Sequence, residues 1–311
     1  MRAAQARRTA ANGRKRNCRK SLTIPCMVAG LASLSAAGAR AQEVEPNEYT
    51  PLPAGTNLFL DYYIYEHLGK FSFGDGSTLK KDTGSEVNVA VARYVHYSEI
   101  FGHPAGYEVY QVFGSIADTS IGGQHLNNAF GAQNVALAGF FWPYANQQDH
   151  EYFAVAGWVY PPTGTYDPHA VVNLGDNRWR GDLQFGWSQA IGPHFSYEIG
   201  EDTMFYAANT NAFPGHQTLS QDPTYRLQAF VNWRWTPSLE TSFGYEGFFG
   251  GVQQLDGTQN GMKTEEHRLR VTGSYFITPA LQVLLELNHD VAVSGGFKQD
   301  LGATLRVLFA F

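Results

Sequence analysis

The chain has 311 residues, 22 of them Lys or Arg and 28 Asp or Glu, with 14% Phe, Trp and Tyr and a mean hydropathy of −0.28. Residues 1–41 take nine of the basic residues and no acidic one, so the rest carries about −15, a balance that argues against nucleic acid, which rewards clustered cations. No run of about eighteen apolar residues occurs, which leaves no candidate for a helical membrane span.

The first element is the basic and then apolar N-terminus. Arg7-Arg8 and RKRNCRK ending at Lys20 precede SLTIPCMVAGLASLS, and Ala39-Arg40-Ala41 places small residues at the −3 and −1 positions. This order is that of a secretory signal peptide, residues 1–41, cleaved near Ala41. Cys18 and Cys26 leave with it, so the exported part has neither thiol nor disulfide. Residues 42–311 then form one domain, with no stretch that reads as a linker.

From residue 57 onward the recurring pattern is alternation, the period of a strand rather than a helix. About twelve strands are predicted, near 57–67, 86–98, 107–119, 134–144, 151–160, 181–191, 194–207, 223–235, 239–249, 265–277, 281–293 and 299–311. Tight joints such as Ile191-Gly192-Pro193, Thr236-Pro237-Ser238 and Thr278-Pro279-Ala280 alternate with long polar loops such as GGVQQLDGTQNGMKT. The fold class is therefore all-β, a transmembrane up-and-down antiparallel barrel of about twelve strands in the bacterial outer membrane. The chain ends TLRVLFAF, which sets Leu305, Val307, Phe309 and Phe311 on one face of the strand that must close the barrel. Aromatics near strand ends, among them Tyr62, Tyr63, Tyr65, Trp142, Tyr144, Trp158, Tyr160, Trp233 and Trp235, suit interfacial girdles.

With apolar faces turned to lipid, polar faces line the interior. The expected lumen residues are Asp61, Tyr63 and Tyr65 on the first strand, Glu198 and Asp202 on the seventh, and Arg226 and Arg234 on the eighth. Glu240, Glu246, Arg268, Arg270, Glu286, Asp290 and Arg306 complete the set, so that arginines on one strand oppose carboxylates on the next. Two charge signs in a pore orient passing solutes, and the same residues can equally form a salt-bridged filling. Partners expected on this reading are outer-membrane lipid and small apolar or aromatic solutes.

Enzymatic and metal chemistry find less support. His96 and Ser98 share one strand face in RYVHYSE, a spacing that resembles the His-x-Ser of twelve-stranded outer-membrane phospholipases, but no Asn-bearing partner motif follows on the next strand. The histidines are scattered without ligand spacing, and FGDGST and LDGTQNG read as polar turns rather than calcium loops. No catalytic residue, metal or cofactor is assigned. A structural or adhesive barrel acting through its extracellular loops is the other alternative.

Three stretches carry a family resemblance: PPTGTYDP at Pro161–Pro168, GTNLFLDYYIYEH, and NLGDNRW. With the strand rhythm and the terminal Phe311 they resemble the MetA-pathway of phenol degradation family of outer-membrane proteins. The resemblance implies a channel-like protein for uptake of aromatic or other hydrophobic compounds. In FGAQNVALAGFF this chain lacks the acid that the family pattern carries there. The C-terminal strand likewise resembles the signal read by the outer-membrane assembly machinery, with Phe311 at its terminal position.

Overall fold

The computed structural model describes residues 44–311; the expected signal peptide lies outside them. Twelve long strands follow one another: β1 (Asn57–Ser72), β2 (Gly84–Ile100), β3 (His103–Ile121), β4 (Ala136–Asn146), β5 (Glu151–Tyr160) and β6 (Arg180–Ile191), then β7 (Phe195–Tyr206), β8 (Thr224–Arg234), β9 (Leu239–Gly250), β10 (Thr264–Thr278), β11 (Leu281–Ser294) and β12 (Gly296–Ala310). Each pairs antiparallel with its neighbour in sequence, and β12 pairs with β1 from Leu58↔Ala310 to Ser72↔Gly296, so the sheet is closed. Beyond the last strand residue, the amide of Asn57 donates to the Phe311 carbonyl at 2.9 Å and the Phe311 amide returns the bond at 3.0 Å. Hydrocarbon supplies no partners to backbone N–H and C=O groups, so a sheet crosses it only by joining its edges.

Short turns lie at one end. The β2–β3 joint is Phe101-Gly102, with φ of 53° and 79°, the doubly left-handed geometry that matches the twist of a tight hairpin. The opposite end carries the connections 73–83, 122–135, 161–179, 207–223 and 251–263, and strands 209–212, 217–221, 253–255 and 258–259 form a separate small sheet there. The sixth connection on that end is shorter than expected: β11 and β12 are separated by Gly295 alone, at φ 84°. A Cβ at this position would collide with the Lys263 backbone, so only glycine fits the reversal.

The outer face is apolar, with Val271, Leu285, Leu287, Leu301, Leu305, Val307, Phe309 and Phe311 exposed. The inner face is not uniformly polar, which departs from expectation. On β1 to β5 the inward positions are mostly apolar, among them Leu58, Leu60, Val87, Val89, Val91, Tyr110, Val112, Trp142 and Trp158, all buried, with Glu66, Arg93 and Glu108 as charged exceptions. On β6 to β12 they are dominated by charge and amide. Asp61, Tyr63 and Tyr65 are accordingly corrected: they lie on the outer face, with Tyr63 52% exposed. The register decides this, since Asp61 and Tyr63 stand beside the lipid-facing Val307 and Leu305 across the closing seam. Polarity misleads on this strand because its inward residues are as apolar as its outward ones. Of the aromatics expected in the girdles, Tyr62, Trp142, Trp158 and Tyr160 are likewise inward and buried, whereas Tyr63, Tyr144, Trp233 and Trp235 are outward and exposed.

Leu285 sits midway along β11 on the lipid-facing side, 53% exposed in the isolated barrel. Leu285→Arg is expected to cost about 2–4 kcal/mol in reversible guanidinium unfolding from liposomes, whereas arginine in place of the terminal Phe311 costs ~0–1 kcal/mol. Equal small losses at both positions would contradict a membrane-facing surface.

Candidate functional site: a plugged, two-sided lumen

The chain before β1 turns into the barrel, and its polar groups meet the charged wall. The Val44 amide donates to Gln228 Oε1 at 3.2 Å, and the Val44 carbonyl accepts from Arg270 at 3.1 Å. Arg270 also reaches Glu45 at 3.3 Å and grips Glu286 through Nε at 2.9–3.0 Å. The Asn47 amide donates to Glu198 at 2.9 Å and its side chain to Glu240. Glu48 bridges Arg306 at 2.9 Å and Arg93 at 3.0 Å, and Arg93 in turn binds Glu108 at 2.6 Å. Charge-assisted bonds of this kind are the strong ones, and the low-dielectric interior makes each depend on its partner.

Tyr49 anchors the segment between the two walls. Its carbonyl accepts from Trp142 Nε1 at 2.8 Å on the apolar side. Its ring fills a notch on the polar side at Gly186 and Gly200, where a Cβ on either glycine would run into the ring. The two glycines, facing inward and adjacent in register, exist to admit this plug.

A second element closes the other end. The 161–179 connection buries Val171, Val172 and Leu174, while Asn127 Oδ1 accepts the amides of Val171 and Val172 at 3.0 Å. Its Thr163 and Thr165 hydroxyls accept the amides of Val135 and Ala132, and Gly164 donates to Asn134. Gly164 and Gly175 lie back to back, closer than any side chain permits. The Thr-Gly pair of PPTGTYDP thus does more than start a loop: it docks the loop onto the stretch where β3 and β4 part.

A cavity of about 930 Å³ runs from the short-turn rim alongside the plug as far as Tyr110, Trp158 and Gln184. One side is Tyr97, Tyr110, Phe140, Trp142, Tyr152 and Trp158; the other is Gln184, Ser188, Glu240, Gln282 and Arg306. The rings form two groups, Tyr97 to Phe140 at 5.5 Å and Phe140 to Trp142 at 5.4 Å in one, and Tyr110 to Trp158 at 5.6 Å between centroids in the other.

Of the residues expected to line the lumen, Glu198, Asp202, Arg226, Glu240, Glu246, Arg268, Arg270, Glu286, Asp290 and Arg306 are buried on the inner face. Asp202 and Arg226 pair at 2.7 Å, Arg268 reaches Asp290 at 2.8 Å and Glu246 at 3.5 Å. Arg234 has the inward alternation but stands at the rim, its side chain 54% exposed and 3.5 Å from Glu240. Sequence reasoning missed Arg93, Glu108, Asp182 and the plug residues Glu45, Glu48 and Tyr49. The plug precedes any alternating pattern, and only its acids, set against an arginine-bearing barrel, hinted at docking.

The hydrolase alternative gains one part and lacks another. His96 Nδ1 lies 2.8 Å from Asn57 Oδ1, an Asn on the preceding strand rather than the following one. Both His96 and Ser98 face outward, and among the described contacts none joins Ser98 to His96. A serine nucleophile needs that bond.

The model of the family described as MetA-pathway of phenol degradation matches residues 69–307. The chain belongs to this family. Its fold is similar to the crystal structure of the COG4313 outer membrane channel from Pseudomonas putida F1, at 25% identity and a TM-score of 0.83, covering 86% of this chain and 100% of that one. The KdgM porin covers 81% of this chain and 99% of its own at 8% identity and a TM-score of 0.46, and the NanC porin 81% and 98% at 10% identity and 0.45. No curated protein matches the sequence. This member of the MetA-pathway of phenol degradation family is an outer-membrane β-barrel of channel-like fold.

Two outcomes test the plug. Arg270→Met, which strips Glu45 and Glu286 of a shared partner, is expected to destabilise by about 3–5 kcal/mol in chemical unfolding. Gly200→Val, which evicts Tyr49 from its notch, is expected to raise single-channel conductance several-fold in planar bilayers. A conductance equal to that of the unaltered chain would show that Tyr49 does not obstruct the pore.

Proposed function

We propose that the protein is a passive outer-membrane channel that binds and passes small apolar or aromatic solutes, with the N-terminal segment as its constriction. The observation that carries the reading is the two-sided cavity: an aromatic wall on β2 to β5 faces a hydrogen-bonding wall on β6 to β12. An aromatic solute gains apolar contact on one side of such a cavity and hydrogen-bonded orientation on the other. The overlap with the Pseudomonas putida F1 channel supports conduction over catalysis, and the family description supports aromatic compounds.

The test is entry of a hydrophobic reporter past an intact lipopolysaccharide layer. Cells expressing the chain are expected to take up N-phenyl-1-naphthylamine several-fold faster than cells lacking it, and Trp142→Gln combined with Trp158→Gln to remove most of the gain. Uptake unaffected by expression of a correctly assembled barrel would overturn the reading.

A further inference from the structure

Neither oxygen of Asp182 has a hydrogen-bond partner among the described residues, and it is only 6% exposed. The oxygens of Glu246 likewise accept no hydrogen bond, but Arg268 stands 3.5 Å from that carboxylate, whereas no described arginine makes an ion pair with Asp182. It points inward from β6, beside Trp158 of β5 and Met204 of β7 in register. The two arginines whose charge reaches it are engaged elsewhere. Arg180 lies 2.9 Å from Asp176 and over the Tyr160 ring at 4.7 Å, and Arg226 holds Asp202 at 2.7 Å. The second oxygen of Asp202 is unpartnered as well.

A buried, unpaired carboxylate is costly and demands a donor. The surroundings specify which. Among the buried charged side chains, eleven are carboxylates and six are arginines, so the interior as a whole favours a cation. Trp158 stacks on Tyr160 at 6.2 Å and meets Tyr110 at 5.6 Å, offering ring faces to a positive group beside the carboxylate. The cavity ends at Trp158, Tyr110 and Gln184, and Trp158 is the register partner of Asp182, so the aromatic end of the cavity adjoins this carboxylate. A hard divalent ion would need six or more oxygens, and this place offers two carboxylates among rings and a thioether.

From this geometry we propose that Asp182 is a recognition site for the ammonium group of an aromatic amine, with the ring of the solute against Tyr110 and Trp158 and the ammonium salt-bridged to Asp182. The inference rests on the channel reading for the route of entry and adds a charge preference to it.

The probes are phenethylamine and phenylacetate, of similar size and opposite charge. They are titrated calorimetrically into the full chain in detergent at neutral pH, with a micelle blank. Phenethylamine is expected to bind about ten-fold or more tightly than phenylacetate, and Asp182→Asn to abolish that margin while the variant keeps its folded, heat-modifiable mobility. Equal binding of the two probes by the unaltered protein overturns the proposal whether or not the variant folds, and so does an unchanged margin in folded Asp182→Asn. Reporter uptake separates the two readings: preferential binding without uptake refutes the channel and spares this site, and uptake without charge preference does the reverse.

Discussion

Everything in this molecule follows from the absence of hydrogen-bond partners in hydrocarbon. A strand edge left open in a membrane exposes a row of unsatisfied amides and carbonyls, each costing several kcal/mol, so β12 must find β1. The seam is complete to the last residue, since both backbone groups of Phe311 are used by Asn57. The same closure fixes which residue of each alternating pair meets lipid, because one misplaced register step would turn every side chain on the strand to the other side. With its edges consumed, the sheet leaves the residues before Asn57 no strand to join. They satisfy their polar groups inside, on Gln228, Glu198, Arg270 and Arg306.

Burying charge in that interior would be ruinous for isolated groups, and the barrel avoids the cost by stacking arginines between carboxylates on adjacent strands. Arg268 touches Glu246, Glu266 and Asp290; Arg270 touches Glu286 and Glu45. Guanidinium suits this work because its planar fork serves several carboxylates at once and cannot deprotonate. The ladder therefore has two duties. It fills one wall of the barrel, and it presents the charges on which the plug docks.

The repeating parts of this architecture were legible in the sequence and the singular parts were not. Alternation over a dozen segments showed the strands, their antiparallel order and the closing role of TLRVLFAF, because one repeated physical demand leaves a repeated pattern. The inward aspect of Arg226, Arg268, Arg270, Glu286 and Asp290 could be read because each has a Leu or Val beside it on the strand. On β1 the rule failed: NLFLDYYIYEH is amphipathic on neither face, and only pairing with Leu305 and Val307 shows that Asp61 and Tyr63 point outward. The inward turn of Trp142, Trp158 and Tyr160 was hidden for the same reason, since an aromatic ring suits an interface and a lumen equally. Gly186 and Gly200 carry no mark in the sequence of the Tyr49 ring that lies against them. A contact between residues more than a hundred positions apart leaves no local trace.

Tyr49 is where the two walls meet. Its backbone carbonyl is held by Trp142 of the apolar side and its ring by the glycine notch of the polar side, so the plug spans the lumen rather than lying along one wall. The aromatic cavity runs from the short-turn rim past this crossing as far as Tyr110, Trp158 and Gln184, and Asp182 is the register partner of Trp158. On the proposed reading, a solute against Trp158 therefore meets the ring wall and Asp182 together, since the two residues are partners in register. The aromatic wall of β5 and the polar wall of β6 thus join at one pair, Trp158 and Asp182, and it is there that the proposed apolar contact and charge recognition coincide.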